Sequence, residues 1–327
     1  MLGPAGCSPN QSLISLTIHN KYLSVINRAS FIMKIDLKGS MVAIVSPMLK
    51  GGQLDLQTFN KLVEWHISEG TNAIVVVGTT GESATLSMEE HCDLVSHCVG
   101  AANKRIPIIA GTGSNSTEEA LYFTNSAKEC GADACLLVAP YYNKPTQEGL
   151  FKHFKLIAES VDIPQILYNV PSRTGCDMEF ELVNRLADID NIIALKDASG
   201  DISRGKVLID RCGDRIDIYS GEDALTLELM KHGASGTISV TANIVPNLMA
   251  QMCNFALERN FESAAMLDEK LQDLHRALFL ESNPIPVKWA LNKMNKIGET
   301  LRLPLTELNG KFHVELIEAL NLVNVNI

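Results

Sequence analysis

No apolar run in this 327-residue chain reaches the roughly 18 residues that a membrane helix needs. A basic stripe is also missing. Lys and Arg are scattered, and a formal charge of −10 with a pI near 5.3 argues against a nucleic-acid or anionic-membrane surface. The eight cysteines, at positions 7, 92, 98, 130, 135, 176, 212 and 253, include no Cys-x-x-Cys pair. That excludes the usual disulfide and zinc spacings and leaves reduced thiols in a cytoplasmic protein as the expectation. His91 and Cys98 in "HCDLVSHC" fall on one helix face, but two ligands make no metal site, and an amphipathic helix explains them. No predicted strand leads into Gly-x-Gly-x-x-Gly or a Walker-type loop, so dinucleotide and P-loop readings lack their motif.

Acidic residues are absent from the first 33 positions, which are rich in Ser and Asn. The stretch has no positive charge ahead of a clean apolar run, as a secretory signal would. Residues 1–38 therefore read as an extension: a tail of little structure, a transit peptide with only Lys21 and Arg28 as basic residues, or a start codon read too early, with Met33 the working start. Asn10 and Asn115 match the glycosylation pattern, which means little without a secretory context.

What is present is a repeated alternation. Hydrophobic residues make up 46% of the chain, enough for a large core; the length suits about two domains or one strand–helix barrel. Near-continuous apolar runs recur at 41–47, 73–81, 107–113, 134–142, 165–171, 192–199, 217–223 and 236–243, as expected of parallel strands covered on both faces. Helical patterns fill the gaps, with Asp55, Thr117 and Thr146 as caps and Gly70 and Gly131 as stops. Eight such units predict an α/β fold, a (β/α)8 TIM barrel over 39–260. Helices begin at about 244, and 261–327 reads as a C-terminal helical part. An open doubly wound sheet is the rival, and eight strands without an obvious break suit closure better.

Barrel enzymes carry their chemistry where strands end and βα loops begin. Among the eight predicted strands, Lys196 in "NIIALKDASG" is the only Lys or Arg. If it points into the barrel, Ala194 and Ala198 do too, and Tyr168 points inward from the fifth strand. Burial disfavours the ammonium form, and a neutral amine can attack a carbonyl to form a Schiff base, with Tyr168 as the nearby proton donor and acceptor. The alternative is a structural ion pair of Lys196 with Asp197 or Glu222. The hydroxyls of "VGTTGES" suit a carboxylate or carbonyl oxygen, or mark a plain helix start. Arg173 in "PSRTG" suits a carboxylate clamp or a surface ion pair.

Six motifs in order, "VGTTGESATL", "APYYNKPTQEGL", "ILYNVPSRTG", "IIALKDASG", "GTISVTAN" and "NPIPVKWAL", resemble the dihydrodipicolinate synthase family from about Gly39 to nearly the C-terminus. The resemblance implies a (β/α)8 barrel, usually a homotetramer, that condenses pyruvate with L-aspartate 4-semialdehyde on the diaminopimelate route to lysine, with no metal or organic cofactor. It implies that Lys196 captures pyruvate, that Tyr168, Thr79 and Tyr142 relay protons, with Tyr142 reaching in from a neighbouring subunit, and that Thr80, Ile238 and Gly221 contact substrate. Arg173 matches the arginine that orients the semialdehyde carboxylate. Ser83, Ala84, His91, Asn115, Glu119 and Tyr141 match a lysine effector site between subunits. Met88 replaces the ring side chain common there in feedback-sensitive relatives, which implies weaker inhibition. N-acetylneuraminate lyase and the keto-deoxy sugar-acid aldolases share the lysine and tyrosine; Arg173 and the Thr79-Thr80 pair favour the synthase. A rival of another class is a catalytically silent barrel that binds a ligand, in which one of these side chains should have been lost.

Overall fold

The computed structural model describes residues 35–327, so the readings of the first 33 residues lie outside the described residues. All described strands and helices belong to one unit, Leu37–Ile327. Its strands are β1 (Gly39–Ala43), β2 (Ala73–Val76), β3 (Ile108–Gly111), β4 (Ala134–Val138), β5 (Gln165–Asn169), β6 (Ile192–Asp197), β7 (Asp217–Ser220) and β8 (Gly236–Ser239). Each pairs in parallel with the next, and β8 pairs with β1, which closes the ring. The expected barrel is the observed one.

Between the strands run α1 (Leu56–Ser68), α2 (Met88–Ala102), α3 (Thr117–Cys130) and α4 (Gln147–Ser160). The short α5 (Pro171–Thr174) and α6 (Phe180–Leu186) follow β5, then come α7 (Ile202–Cys212) and α8 (Thr226–His232). After β8 the chain continues as α9 (Pro246–Leu257), α10 (Phe261–Ala277), α11 (Ile285–Lys293) and α12 (His313–Leu322).

Local chemistry sets these ends. Asp55 accepts the Thr58 amide at 3.0 Å, and Ser87 and Glu90 form a reciprocal capping box on α2. The cap of α3 is Ser116, one residue before the expected Thr117: its hydroxyl accepts the Glu119 amide, while Thr117 bonds His153 instead. Strands end two to five residues earlier than the apolar runs suggest. Burial outlasts the ladder there: Val77, Ala139, Val170 and Val240 are all buried beyond the last paired residue. Hydrophobicity reports burial rather than pairing.

Two layers of side chains follow from the strand pleat. Outward residues such as Val42, Ile74, Leu137, Leu167, Leu195 and Ile218 pack on helix residues including Phe59, Leu94, Phe154 and Leu208. Inward residues fill the barrel, where Tyr168, Lys196 and Tyr219 stand side by side in one register row. Tyr219 donates its hydroxyl to the Leu37 carbonyl at 2.6 Å, deep in the interior.

The closing seam depends on glycine. Gly236 has φ +149, and a Cβ there would sit 2.0 Å from the Gly39 carbonyl oxygen. Only a residue without a side chain lets β8 approach β1 this closely.

Candidate active site

The βα loops converge on a cavity of about 320 Å³ at the C-terminal mouth of the barrel. Lys196, Tyr168, Thr79, Thr80, Arg173 and Gly221 all line it, together with Glu222 and Asn283. Six residues spread over nearly 150 positions of sequence thus meet in one place.

Lys196 is only 5% exposed and makes no ion pair among the described residues, where Asp197 pairs with Arg204 instead. Its ammonium nitrogen lies 4.4 Å from the centre of the Tyr168 ring. Of the two carboxylates considered as partners, Asp197 is committed elsewhere: it accepts Arg204 at 3.1 Å, Asn169 at 2.9 Å and Ser199 at 2.5 Å. Glu222 lines the cavity without bonding the lysine. The ion-pair reading of Lys196 therefore fails because its nearest sequence neighbour faces the outer layer, as strand parity requires.

Burial pushes the Lys196 amine down to about 8. The charges of Asp223 and Glu222 pull it back up, and that of Arg173 pushes the same way as burial. Relative to the ordinary 10.5, this leaves roughly 300-fold more free amine at neutral pH. Burial pushes the Tyr168 phenol the other way, up to about 12, with Arg173 and a hydrogen bond with Thr79 opposing that rise. Tyr168 is thus a neutral phenol at neutral pH, able to give and take a proton through its hydroxyl. Space around the amine is reserved too: a Cβ on Gly221 would lie 3.0 Å from Lys196 Cε and 2.6 Å from Ala198 Cβ.

The Thr79–Thr80 turn is a short 3-10 segment, Thr79–Gly81, between two residues in the left-handed region, Val77 at φ 51 and Glu82 at φ 57. A β-branched residue at positive φ is held there only by its surroundings. Ser46 donates to the Gly81 carbonyl at 2.7 Å, and Asn283 donates to the Thr80 hydroxyl at 3.0 Å. Asn283 in turn accepts, through its carbonyl, an Arg173 N–H at 3.2 Å. Pro171 opens α5 and brings Arg173 to the rim one residue-pair later.

Two expected residues are not brought to the cavity wall. Ile238 is buried on β8, paired with Met41, and is not one of the lining residues. Tyr142 is 89% exposed, in the left-handed region at φ 73. A second cavity, of about 470 Å³, adjoins the first through Thr79, Val170, Arg173 and Asn283. Ser83, Ala84, Met88, His91, Glu119 and Tyr141 line it. Asn115 does not, and its carbonyl accepts the Asn143 amide side chain. His91 donates through Nε2 to the Gly111 carbonyl at 2.8 Å and stacks on Phe123. Its helix partner Cys98 is buried with its thiol pushed up to about 12 by burial. Among the described residues, no group of three His, Cys, Asp or Glu side chains is placed to hold a metal ion.

Sequence reasoning gave no role to Asn283 or Lys288. Both sit in "NPIPVKWAL", and a lysine in an apolar helical run is the same signal that singled out Lys196. Lys288 is 1% exposed and paired with Glu82.

The model of the dihydrodipicolinate synthetase family matches residues 36–322. The chain belongs to that family. It is 57% identical over 280 residues to a 4-hydroxy-tetrahydrodipicolinate synthase of Psychrobacter sp., covering 86% of this chain and 93% of the relative. To the Pseudomonas aeruginosa synthase it is 54% identical over 289 residues, covering 88% and 99%. Among solved structures, the chloride-inhibited dihydrodipicolinate synthase from Acinetobacter baumannii, complexed with pyruvate, is similar at a TM-score of 0.87 and 55% identity, over 88% of this chain and 99% of that one. The enzyme from Cyanidioschyzon merolae with lysine bound is similar at 0.85 and 37% identity, over 89% and 100%.

Proposed function

We infer that the chain is a 4-hydroxy-tetrahydrodipicolinate synthase, a lyase that joins pyruvate to L-aspartate 4-semialdehyde through a Schiff base on Lys196. The observation that carries this reading is a buried, unpaired amine against the Tyr168 ring, in a cavity that also holds Thr79, Thr80 and Arg173. The amine attacks the keto carbon of pyruvate; the carbinolamine loses water with Tyr168 handing a proton to the departing hydroxyl. Loss of a methyl proton gives the enamine, whose carbon attacks the aldehyde. The amine of the second substrate then displaces Lys196, closing the ring and freeing the enzyme. Thr80 suits the pyruvate carboxylate, and Gly221 keeps space open beside the Lys196 side chain. Arg173, at the rim, suits the carboxylate of the aldehyde substrate, which favours the synthase over a sugar-acid aldolase.

We propose further that Tyr142 completes the proton relay of a neighbouring subunit in a homotetramer. Its exposure at φ 73 supports a side chain held outward for another chain. The second cavity suits lysine as effector, in keeping with six of its seven expected residues on one wall. No described helix is long and apolar enough to cross a membrane, and we place the protein in the cytoplasm, its barrel over 39–260 and its C-terminal helical part over 261–327.

Borohydride reduction in the presence of pyruvate, followed by peptide mass mapping, tests the reading. A pyruvyl adduct on Lys196 is expected, and the unreduced protein given both substrates should consume L-aspartate 4-semialdehyde. Trapping on another lysine, or none, overturns it.

A further inference from the structure

Glu82 and Lys288 form an ion pair with almost no solvent contact, their side chains 0% and 1% exposed. Burying both charges costs more desolvation than a surface pair ever recovers, so such a pair is poor evidence for stability and better evidence for a fixed geometry. Its placement says which geometry. Glu82 directly follows the Thr79–Gly81 turn and is held at φ 57. Its second carboxylate oxygen accepts the Arg302 amide at 3.1 Å. Lys288, on α11, also donates to the Ser46 carbonyl at 3.1 Å, and Ser46 donates its hydroxyl to Gly81 at 2.7 Å. The two residues, the β1 exit and the turn therefore make a closed loop of bonds around the backbone that carries Thr79 and Thr80. No atom of Lys288 lines the catalytic cavity.

We propose that Glu82 and Lys288 are positioning residues: the pair clamps the Thr79–Thr80 turn from behind so that its hydroxyls meet Tyr168 and the pyruvate carboxylate in one orientation. The proposal rests on the synthase reading above. It predicts that the pair governs how tightly pyruvate is taken up and leaves the nucleophile itself intact.

The test is the pyruvate concentration that half-saturates borohydride trapping, measured in the full-length protein. The double variant Glu82→Gln/Lys288→Met removes both charges at similar size, which avoids stranding one buried ion. Ser46→Ala cuts the same loop at an uncharged link, and it keeps the proposal testable if the double variant does not fold. In each folded variant, adduct still forms on Lys196 at saturating pyruvate. The half-saturating concentration rises about tenfold or more in the double variant and two- to fivefold in Ser46→Ala. Half-saturation within twofold of the parent, in either folded variant, overturns the proposal. Absence of a Lys196 adduct in the parent protein instead overturns the synthase reading, so the two failures are distinct.

Discussion

At the residue scale, the burial of the Lys196 amine carries a stability cost. An amine moved from 10.5 to about 8 by burial destabilises the fold by roughly 3 kcal/mol wherever it is protonated in the unfolded chain. The sign follows from proton counting: between about 8 and 10.5 the unfolded chain binds the extra proton, so stability rises with pH across that window. Lys196→Met should therefore melt higher at pH 7, with the advantage shrinking as pH approaches 10.5. Denaturant titrations at pH 7 and pH 10 check this; equal or lower stability of the variant at pH 7 contradicts it. The initial rate of pyruvate trapping by the parent should climb between pH 6 and 9 with a midpoint near 8. A flat profile over that range would mean that the amine is not the titrating group. Lys196 and Tyr168 were legible in sequence because a charge inside an apolar run, two residues from Ala194 and Ala198, has few explanations. Asn283 was not, because it meets Thr80 across 203 positions and Arg173 across 110, which no local pattern records.

At the scale of elements, the eight strands and the helices between them were readable from apolar periodicity and caps. Their ends were not. The strands appear two to five residues too long in sequence because burial runs on past the last paired residue, at Val77, Ala139, Val170 and Val240, into the turns that line the cavity. The same blur hid the left-handed residues Val77 and Glu82; the Glu82 carboxylate meets Lys288 across 206 positions, which no local pattern records. The β8–β1 seam gives the sharpest test at this scale. Gly236→Ala places a methyl group 2.0 Å from the Gly39 carbonyl oxygen at a φ of +149, so the two strands must part. Circular dichroism melting should show a fall of several degrees or failure to fold, on the order of 2–4 kcal/mol. A parent-like midpoint would mean that the seam relaxes at little cost.

At the scale of the whole molecule, Arg302 ties the stretch after α11 back to the start of the barrel. Arg302 donates to Glu90 with two guanidinium nitrogens, to the Gly52 carbonyl at 2.9 Å and to the Thr85 carbonyl at 2.7 Å. The Arg302 guanidinium holds the Glu90 carboxyl down at about 2. Because the folded value lies below the ordinary 4.5, this contribution is complete above 4.5 and is lost as pH falls through about 2. Glu90→Gln should lower stability at pH 7 and flatten its decline over that acid range; hydrogen exchange should show segment 294–312 opening earlier in the variant. A variant as steep as the parent on acidification would assign the acid limb to other carboxylates.

Closure of the strand ring has a last consequence. Among the described residues the barrel offers no unpaired strand edge for a second molecule to extend. Any lasting union of copies must therefore be made by helices and loops, whose side chains can change from one lineage to another without disturbing the ladder that holds the amine. Under the role proposed for Tyr142, that one side chain would tie the arrangement of copies to the chemistry.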